Sequence, residues 1–219
     1  MKQVFENVFS DGKFLYTKNL LPGVKVYSEK LLAENGIEFR QWDAFRSKLA
    51  AALKNGLKQM PIQKASKVLY LGAAEGTTIS HVSDIVEGKG LVVGIDVSAT
   101  SMRKFVKVCE SRGNVLPLLA DAGKPQEYPV EIQKIKFDVL FQDVSQKNQS
   151  EIFLKNSGLL KPKGFGLLSV KARSINVLEA PAVVFKQEVE LLKKAFEILQ
   201  VVRLEPFEKD HALIFCRKK

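Results

Sequence analysis

Val68-Leu69-Tyr70-Leu71-Gly72-Ala73-Ala74-Glu75-Gly76-Thr77-Thr78-Ile79 is the stretch on which the fold of this chain turns. From Lys67 to Leu71 the run is short and nearly unbroken in its apolar character, the pattern of a strand covered on both faces. Gly72 and Gly76 punctuate a turn, and Ile79, Val82, Ile85 and Val86 then recur at helical spacing. Strand, glycine turn and helix in that order open a doubly wound α/β sheet, whose ligands sit at the carboxyl ends of the strands. The two glycines lack a Cβ, so the backbone can approach a ligand, while Thr77 and Thr78 offer hydroxyls and amides at a helix N-terminus. A turn of purely structural use would carry the same residues.

The pattern continues downstream. Leu91 to Ile95 predicts a second strand, followed by a helix in which Met102, Phe105, Val106 and Cys109 share a face and which stops at Gly113-Asn114. That position makes Cys109 a core residue rather than a reactive thiol. Val115 to Leu119, Phe137 to Phe141 and Phe165 to Val170 predict three more strands, and a long helix is predicted from Pro181 to about Leu199. Two β-like runs follow, Leu199 to Leu204 and Ala212 to Cys216, split by Glu205-Pro206-Phe207-Glu208-Lys209. Alternating strands and helices imply a parallel sheet with right-handed crossovers, and the last pair implies a hairpin at one edge. An α/β, Rossmann-like, mostly parallel seven-stranded sheet with an antiparallel edge hairpin is the architecture of class I S-adenosylmethionine-dependent methyltransferases.

Upstream the texture differs. Val4 to Phe9, Lys13 to Thr17 and Val24 to Tyr27 are short β-prone pieces separated by Asp11-Gly12 and Pro22-Gly23, a hairpin signal and a turn signal. A helix is predicted from about Phe45 to Leu57, with Gly56 near its end and Pro61 beyond. The expected division is a small N-terminal antiparallel β domain with a connecting helix at 1–55, and a methyltransferase domain at 56–219.

With 219 residues the chain is long enough to bury a full α/β core. No apolar run reaches the length of a membrane span, and the opening Met1-Lys2-Gln3-Val4-Phe5-Glu6 does not resemble a secretory signal, so a cytoplasmic location is expected. Two distant cysteines, Cys109 and Cys216, give neither a disulfide framework nor a zinc site, and no metal is expected. The net charge of +10 suits a polyanionic partner such as nucleic acid, although a lysine-biased solubility surface would give the same sum.

The loop narrows the ligand. A dinucleotide fingerprint needs Gly-x-Gly-x-x-Gly, but Ala74 and Glu75 stand in the middle positions, and no Gly-Lys-Ser/Thr follows to make a P-loop. An acidic Glu75 aimed at a helix N-terminus would repel a pyrophosphate. S-Adenosylmethionine carries no phosphate and a cationic sulfonium, which favours methyl transfer over hydride transfer. Asp96, Asp121 and Asp143 each end or follow a predicted strand, on one rim with the glycine loop. Asp96 lies about 20 residues past the loop, the spacing at which an acid takes the hydroxyls of a ribose. Asp121-Ala122 is placed for the adenine edge and Asp143 for the methionine end, though a strand-terminal Asp is often only a turn or N-cap residue.

Val68 through Asp84 is very similar to the first motif of the fibrillarin family, whose more usual form has Ser at the position of Glu75. Tyr70 stands where most methyltransferases have an acid, itself a fibrillarin trait, and Asp96-Val97 stands where the family often has Glu-Phe. Asp121-Ala122, Asp143-Val144-Ser145-Gln146, Val170-Lys171-Ala172, Glu205 to Ala212 and Arg46-Ser47-Lys48-Leu49-Ala50-Ala51 also resemble family segments, so that the resemblance spans essentially the whole chain. No Gly/Arg-rich N-terminal tail of the eukaryotic kind is present, which points to the archaeal type.

The resemblance implies methylation of ribose 2′-hydroxyls in rRNA and tRNA, directed by box C/D guide RNA. It implies partnership with a Nop-family scaffold protein and a kink-turn-binding ribosomal-type protein. It also implies S-adenosylmethionine held by Gly72, Ala73, Gly76, Thr77, Thr78, Asp96, Val97, Asp121, Ala122 and the run Asp143, Val144, Ser145 and Gln146. Lys48, Asp143 and Lys171 match the Lys-Asp-Lys set of 2′-O-methyltransferases, with either lysine open as general base and Asp210 or His211 open as a fourth member. Two other readings remain: a small-molecule O-methyltransferase, and a non-catalytic RNA-binding subunit that keeps the fold. Arg103, Lys104, Lys107, Arg112, Lys161, Lys163, Arg217, Lys218 and Lys219 are expected to form a phosphate-attracting surface without a base-reading element.

Overall fold

The computed structural model describes residues 1–219 and contains two sheets. The first is antiparallel: β1 (Lys2–Phe5), β2 (Val8–Ser10), β3 (Leu15–Lys18), β4 (Leu31–Glu34) and β5 (Ile37–Trp42), in the order β1-β2-β3-β5-β4. Asp11-Gly12 makes the expected turn between β2 and β3, with the Asp11 carboxylate accepting the amides of Lys13 at 2.8 Å and Phe14 at 2.6 Å. The run from Val4 to Phe9 is not one strand. It folds back at Asn7, whose φ is 55° and whose side-chain amide donates to the Ile85 carbonyl at 3.0 Å. Val24 to Tyr27 is a loop, because the amides of Val26 and Tyr27 donate to the Glu29 carboxylate instead of to a strand. The hairpin lies further on, at Asn35-Gly36, where both residues have positive φ (51° and 76°) as a primed turn requires.

α1 (Lys48–Lys54) starts three residues later than its apolar pattern suggests. The Asp43 carboxylate takes the Phe45 amide at 2.9 Å in a preceding turn, and Ser47 is the N-cap. There follow β6 (Lys67–Leu71), α2 (Thr77–Val86), β7 (Leu91–Asp96), α3 (Ala99–Ser111), β8 (Val115–Leu119), α4 (Val130–Lys134), β9 (Phe137–Gln142) and α5 (Gln149–Asn156). The chain ends with β10 (Leu160–Lys171), α6 (Ala172–Ile175), α7 (Pro181–Leu192), β11 (Phe196–Arg203) and β12 (His211–Lys218). The long helix stops at Leu192; Phe196 and Leu199, which continue its stripe, belong to β11. Phe196 is buried at the start of the strand, but Leu199 is 37% exposed, so the helical spacing that included it does not follow burial beyond Leu192.

The second sheet has the order β11-β12-β10-β9-β6-β7-β8, with only β12 running against its neighbours. Alternation divides β6 between the two faces: Val68 and Tyr70 join one core cluster, and Leu69 and Leu71 the other. The first cluster runs on into the small sheet through Val8, Leu15 and Trp42 and takes in α1.

A buried ionic network crosses the same boundary. Arg40 of β5 reaches Glu29 at 2.6 Å and Asp84 of α2 at 2.8 Å, and Arg112 meets the other Asp84 oxygen at 2.7 Å. Arg112, read from sequence as part of a basic surface, is in fact 1% exposed. Thr17 donates its hydroxyl to Asp84 at 2.8 Å, so its 2.8 Å contact with His81 must be donation from Nδ1–H; Nε2 is left to accept from the Tyr27 hydroxyl at 2.6 Å. Burial, with Arg40 and Arg112 nearby, pushes the His81 pKa well below its ordinary value and keeps the ring neutral.

Candidate functional site

β6 delivers the chain to the rim at Leu71, whose carbonyl accepts the Asp143 amide at 2.8 Å; the amides of Gly72 and Ala73 turn to the Ile95 carbonyl at 2.8 and 2.9 Å. Three strand ends are thereby drawn together. Gly72 has φ +85° and a Cβ there would collide with the Asp143 carbonyl; Gly76 has φ +87° and a Cβ would lie 2.7 Å from Phe105. These glycines clear the protein's own neighbouring segments and supply left-handed turns, rather than making room for a ligand directly.

Asp96 holds the loop from the next strand. One carboxylate oxygen accepts the Ala74 amide at 2.7 Å, and the other accepts the Ser98 amide at 2.8 Å at the start of α3. Beside it opens a cleft of about 380 Å³ lined by Gly72, Ala74, Ile95, Asp96, Val97, Ala120, Ala122, Asp143, Val144, Ser145 and Gln146. No lysine or arginine is among these residues, and carboxylates stand at Asp96 and Asp143 with apolar walls between. That donor set suits a nucleoside with a cationic tail: an acid for ribose hydroxyls, apolar surface for a base, and a carboxylate facing positive charge. It would repel a pyrophosphate. Glu75 plays no part in that repulsion, because it is outside the cleft and paired with Lys104 at 2.5 Å.

Of the residues expected to bind cofactor, Gly72, Asp96, Val97, Ala122, Asp143, Val144, Ser145 and Gln146 meet at this cleft. Ala73 is buried beneath it and Gly76 is buried against Phe105. Thr77 lines a separate groove with Tyr27 and Lys107, and Thr78 donates to Ser47 at 3.1 Å, tying α2 to the cap of α1. Asp121 accepts the Gly123 amide at 2.7 Å and faces an adjoining groove shared with Ser145 and Gln146. Ala74, Ile95 and Ala120 were not singled out from sequence; each adjoins a residue that was, and small or apolar side chains beside an acid carry no motif of their own.

Lys48 reaches this rim from α1, outside the parallel sheet. Its ammonium lies 3.0 Å from Asp143 and 4.0 Å from Glu208. Burial alone would lower the Lys48 pKa, but the Asp143 charge, its hydrogen bond and Glu208 outweigh that and raise it. Lys171 closes β10 opposite His211 of β12, its backbone bracketed by Gln149, whose side chain accepts the Lys171 amide at 3.0 Å. It forms no ion pair, so the structure joins Lys48 to Asp143 and leaves Lys171 on the rim without an anion. His211 is buried, its Nδ1 2.7 Å from the Lys209 carbonyl, and Asp210 is taken by Arg173 at 3.1 Å. Glu208 was not picked out as a site residue, since a lone acid in a charged loop gives no sign of which lysine it faces.

Comparison with known proteins agrees over the full length. The family model described as Fibrillarin matches residues 1–219. A fibrillarin-like rRNA/tRNA 2′-O-methyltransferase from Saccharolobus islandicus (strain L.S.2.15 / Lassen #1) is 47% identical, with 100% of this chain and 95% of that protein covered. The crystal structure of Aeropyrum pernix fibrillarin with natively bound S-adenosyl-L-methionine is 41% identical at a TM-score of 0.86, covering 93% of this chain and 88% of that one. A crystal structure of a fibrillarin/Nop5p complex aligns with a TM-score of 0.90 at 36% identity, covering 100% of each chain. With the nucleoside-type cleft and the Lys48–Asp143 pair at its mouth, the match places this chain in the fibrillarin family.

Proposed function

We propose that this chain methylates ribose 2′-hydroxyls of rRNA and tRNA with S-adenosylmethionine, as the catalytic subunit of a ribonucleoprotein directed by box C/D guide RNA. The observation that carries the reading is the Lys48–Asp143 ion pair, 3.0 Å long, at the mouth of a cleft lined by Asp96 and Asp143 and free of basic residues. The cofactor, when bound, supplies an electrophilic methyl group on a cationic sulfonium. Asp96 would hold the ribose hydroxyls, with Ile95, Val97, Ala120, Ala122 and Val144 against the rest of the nucleoside.

What the chain must add is alignment and a more nucleophilic 2′-oxygen. Lys48, its pKa raised, stays an ammonium and stabilises that oxygen as it gains negative charge, while Asp143 fixes where the ammonium points. Lys171, which closes β10 and forms no ion pair, is the second lysine we assign to the reacting hydroxyl, whose proton passes to solvent as the methyl group is transferred. Residues 1–55 then form a functional unit with 56–219, since the first supplies Lys48 and the second Asp143 and Lys171. Name and complex of the relatives support a Nop-family scaffold as partner. Guide RNA, a kink-turn-binding ribosomal-type protein and a cytoplasmic setting complete the reading; no helix is long and apolar enough to cross a membrane.

A small-molecule O-methyltransferase of the magnesium type fits less well, because the group facing Asp143 is an ammonium that would repel a divalent cation. A non-catalytic subunit would have no use for a half-buried lysine held on the cleft. The test is transfer of labelled methyl from S-adenosylmethionine to a target RNA, with and without a matching guide and the two partner proteins. Guide-dependent 2′-O-methylation is expected; an Asp143→Ala chain working at the wild-type rate would overturn the assignment.

A further inference from the structure

Two aromatic rings on the segments that carry Lys48 and Glu208 take no part in the steps above. Phe45 stands just before the cap of α1, is 65% exposed, and meets Phe207 edge-on with ring centroids 5.0 Å apart at 69°. Phe207 is half-buried against the core, and its amide donates to the Leu204 carbonyl at 3.0 Å, so it forms a fixed backing. One residue on, Glu208 lies 4.0 Å from the Lys48 ammonium. Segments 45–48 and 207–208 therefore touch at two points, which sets the aromatic pair beside the charged group that meets the reacting oxygen. Arg46 and Lys209, both exposed and in no ion pair, follow Phe45 by one residue and Phe207 by two; the Arg46 guanidinium lies 5.4 Å from the Tyr27 ring centroid.

We propose that Phe45, backed by Phe207, packs against the minor-groove edge of the target RNA beside the ribose being methylated. The inference rests on the methyltransferase reading above. An exposed apolar ring on segments that also carry two cations without ion pairs matches a nucleic-acid surface, whose phosphates meet the cations while sugars and base edges meet the ring. In RNA the 2′-hydroxyls lie along a wide, shallow minor groove, so a ring next to the reacting hydroxyl meets ribose and base edges rather than the face of a base. The contact works equally on a strand already paired with a guide.

The test uses the full chain and two probes, a fluorescein-labelled RNA duplex and the DNA duplex of the same sequence. Phe45→Ala is expected to weaken RNA binding about fivefold, the loss of roughly half a buried phenyl ring, while Phe45→Leu keeps most of the affinity. S-Adenosylmethionine affinity and the urea midpoint are expected to stay put. In the guide-directed reaction KM for the target should rise by the same factor, with kcat within about twofold. Unchanged RNA affinity in Phe45→Ala overturns the proposal, as does equal weakening on DNA. A loss confined to binding of the Nop-family protein also overturns it, by making the ring a protein contact. The binding arm needs no turnover. A wild-type chain that binds RNA through Phe45 yet transfers no methyl defeats the methyltransferase reading alone, and normal transfer with unchanged Phe45→Ala kinetics defeats the proposal alone.

Discussion

Asp84→Asn should be among the most damaging single changes in this chain, although it is nearly isosteric and lies within α2 rather than at the cleft. Asp84 is 2% exposed and faces two arginines, Arg40 at 2.8 Å and Arg112 at 2.7 Å, while also accepting from Thr17 at 2.8 Å and the Leu20 amide at 3.1 Å. The amide keeps the shape and one acceptor but removes the only carboxylate that Arg112 has. Arg40 still holds Glu29 at 2.6 Å. Arg112 would keep only the Ser80 carbonyl at 3.1 Å and the Ser83 hydroxyl at 3.0 Å, and its Nε and Nη2 already lack partners. A guanidinium cannot escape by losing its proton near neutral pH.

Breaking a buried pair by removing one member costs about 3–5 kcal/mol. For a chain of this size that corresponds to a fall in Tm of roughly 6–20 °C. Urea unfolding at pH 7.5, followed by far-ultraviolet circular dichroism, measures the difference directly. The comparison that isolates the cause is Arg112→Met, which removes the charge together with its two unpartnered donors and leaves Asp84 paired with Arg40. That variant should lose less than about 2 kcal/mol, and the double variant should be more stable than the sum of the singles by roughly 2 kcal/mol. A loss under about 1 kcal/mol for Asp84→Asn, or strict additivity in the double variant, would refute the reasoning.

Further outcomes follow from the same geometry. Because burial depresses the His81 pKa, the unfolded chain binds a proton below about pH 6.5 that the folded chain refuses, so stability should fall by up to about 1.4 kcal/mol per pH unit below that point; His81→Gln should flatten the slope in urea titrations run from pH 7.5 to 5. Lys48→Met should lower kcat by about 10²–10⁴ with cofactor affinity little changed, read by single-turnover methyl transfer against calorimetric binding. Gly72→Ala, which drives a Cβ into the Asp143 carbonyl at φ +85°, should cost about 1–3 kcal/mol of stability and weaken cofactor binding at least tenfold. Glu75→Ser should leave cofactor affinity within about twofold, because Glu75 faces Lys104 in solvent rather than the cleft.

The parallel sheet was legible because its strands are apolar on both faces and its crossovers fix the hand, so the rim residues Gly72, Asp96 and Asp143 converge once the order of strands is known. Less could be read where local chemistry decides between elements. Asn35-Gly36 is as strong a hairpin signal as Asp11-Gly12, yet Pro22-Gly23 drew attention to a loop that Glu29 occupies from within. Arg112 looks like surface in any charge count, since a side chain gives no sign of burial until its carboxylate, here 28 residues away on another helix, is brought to it. Glu75 misled for a related reason: its place in the loop was known, but the partner that turns it aside, Lys104, comes from α3.

Pairing across elements also explains why a small sheet belongs to a methyltransferase at all. Lys48 meets Asp143 at hydrogen-bond distance, but the two come from α1 and from the end of β9, and a rigid lysine needs a rigid helix beneath it. α1 has only seven residues, too short to hold its own conformation in water. It is held instead by burial of Leu49, Ala50, Ala51 and Ala52 in the core shared by both sheets, and by Thr78 of α2 reaching its cap at Ser47. The opposite end of α2 is gripped by the small sheet through Thr17, Arg40 and Asp84. One helix thus carries the glycine loop at its start, steadies the cap of the lysine's helix, and is locked to the small sheet by the buried ions. On this account partial loosening of the Arg40–Asp84 lock should reach the site as lost alignment: kcat for methyl transfer should fall before the fold is lost, while the cofactor, which we place against the ends of β7 and β9, still binds.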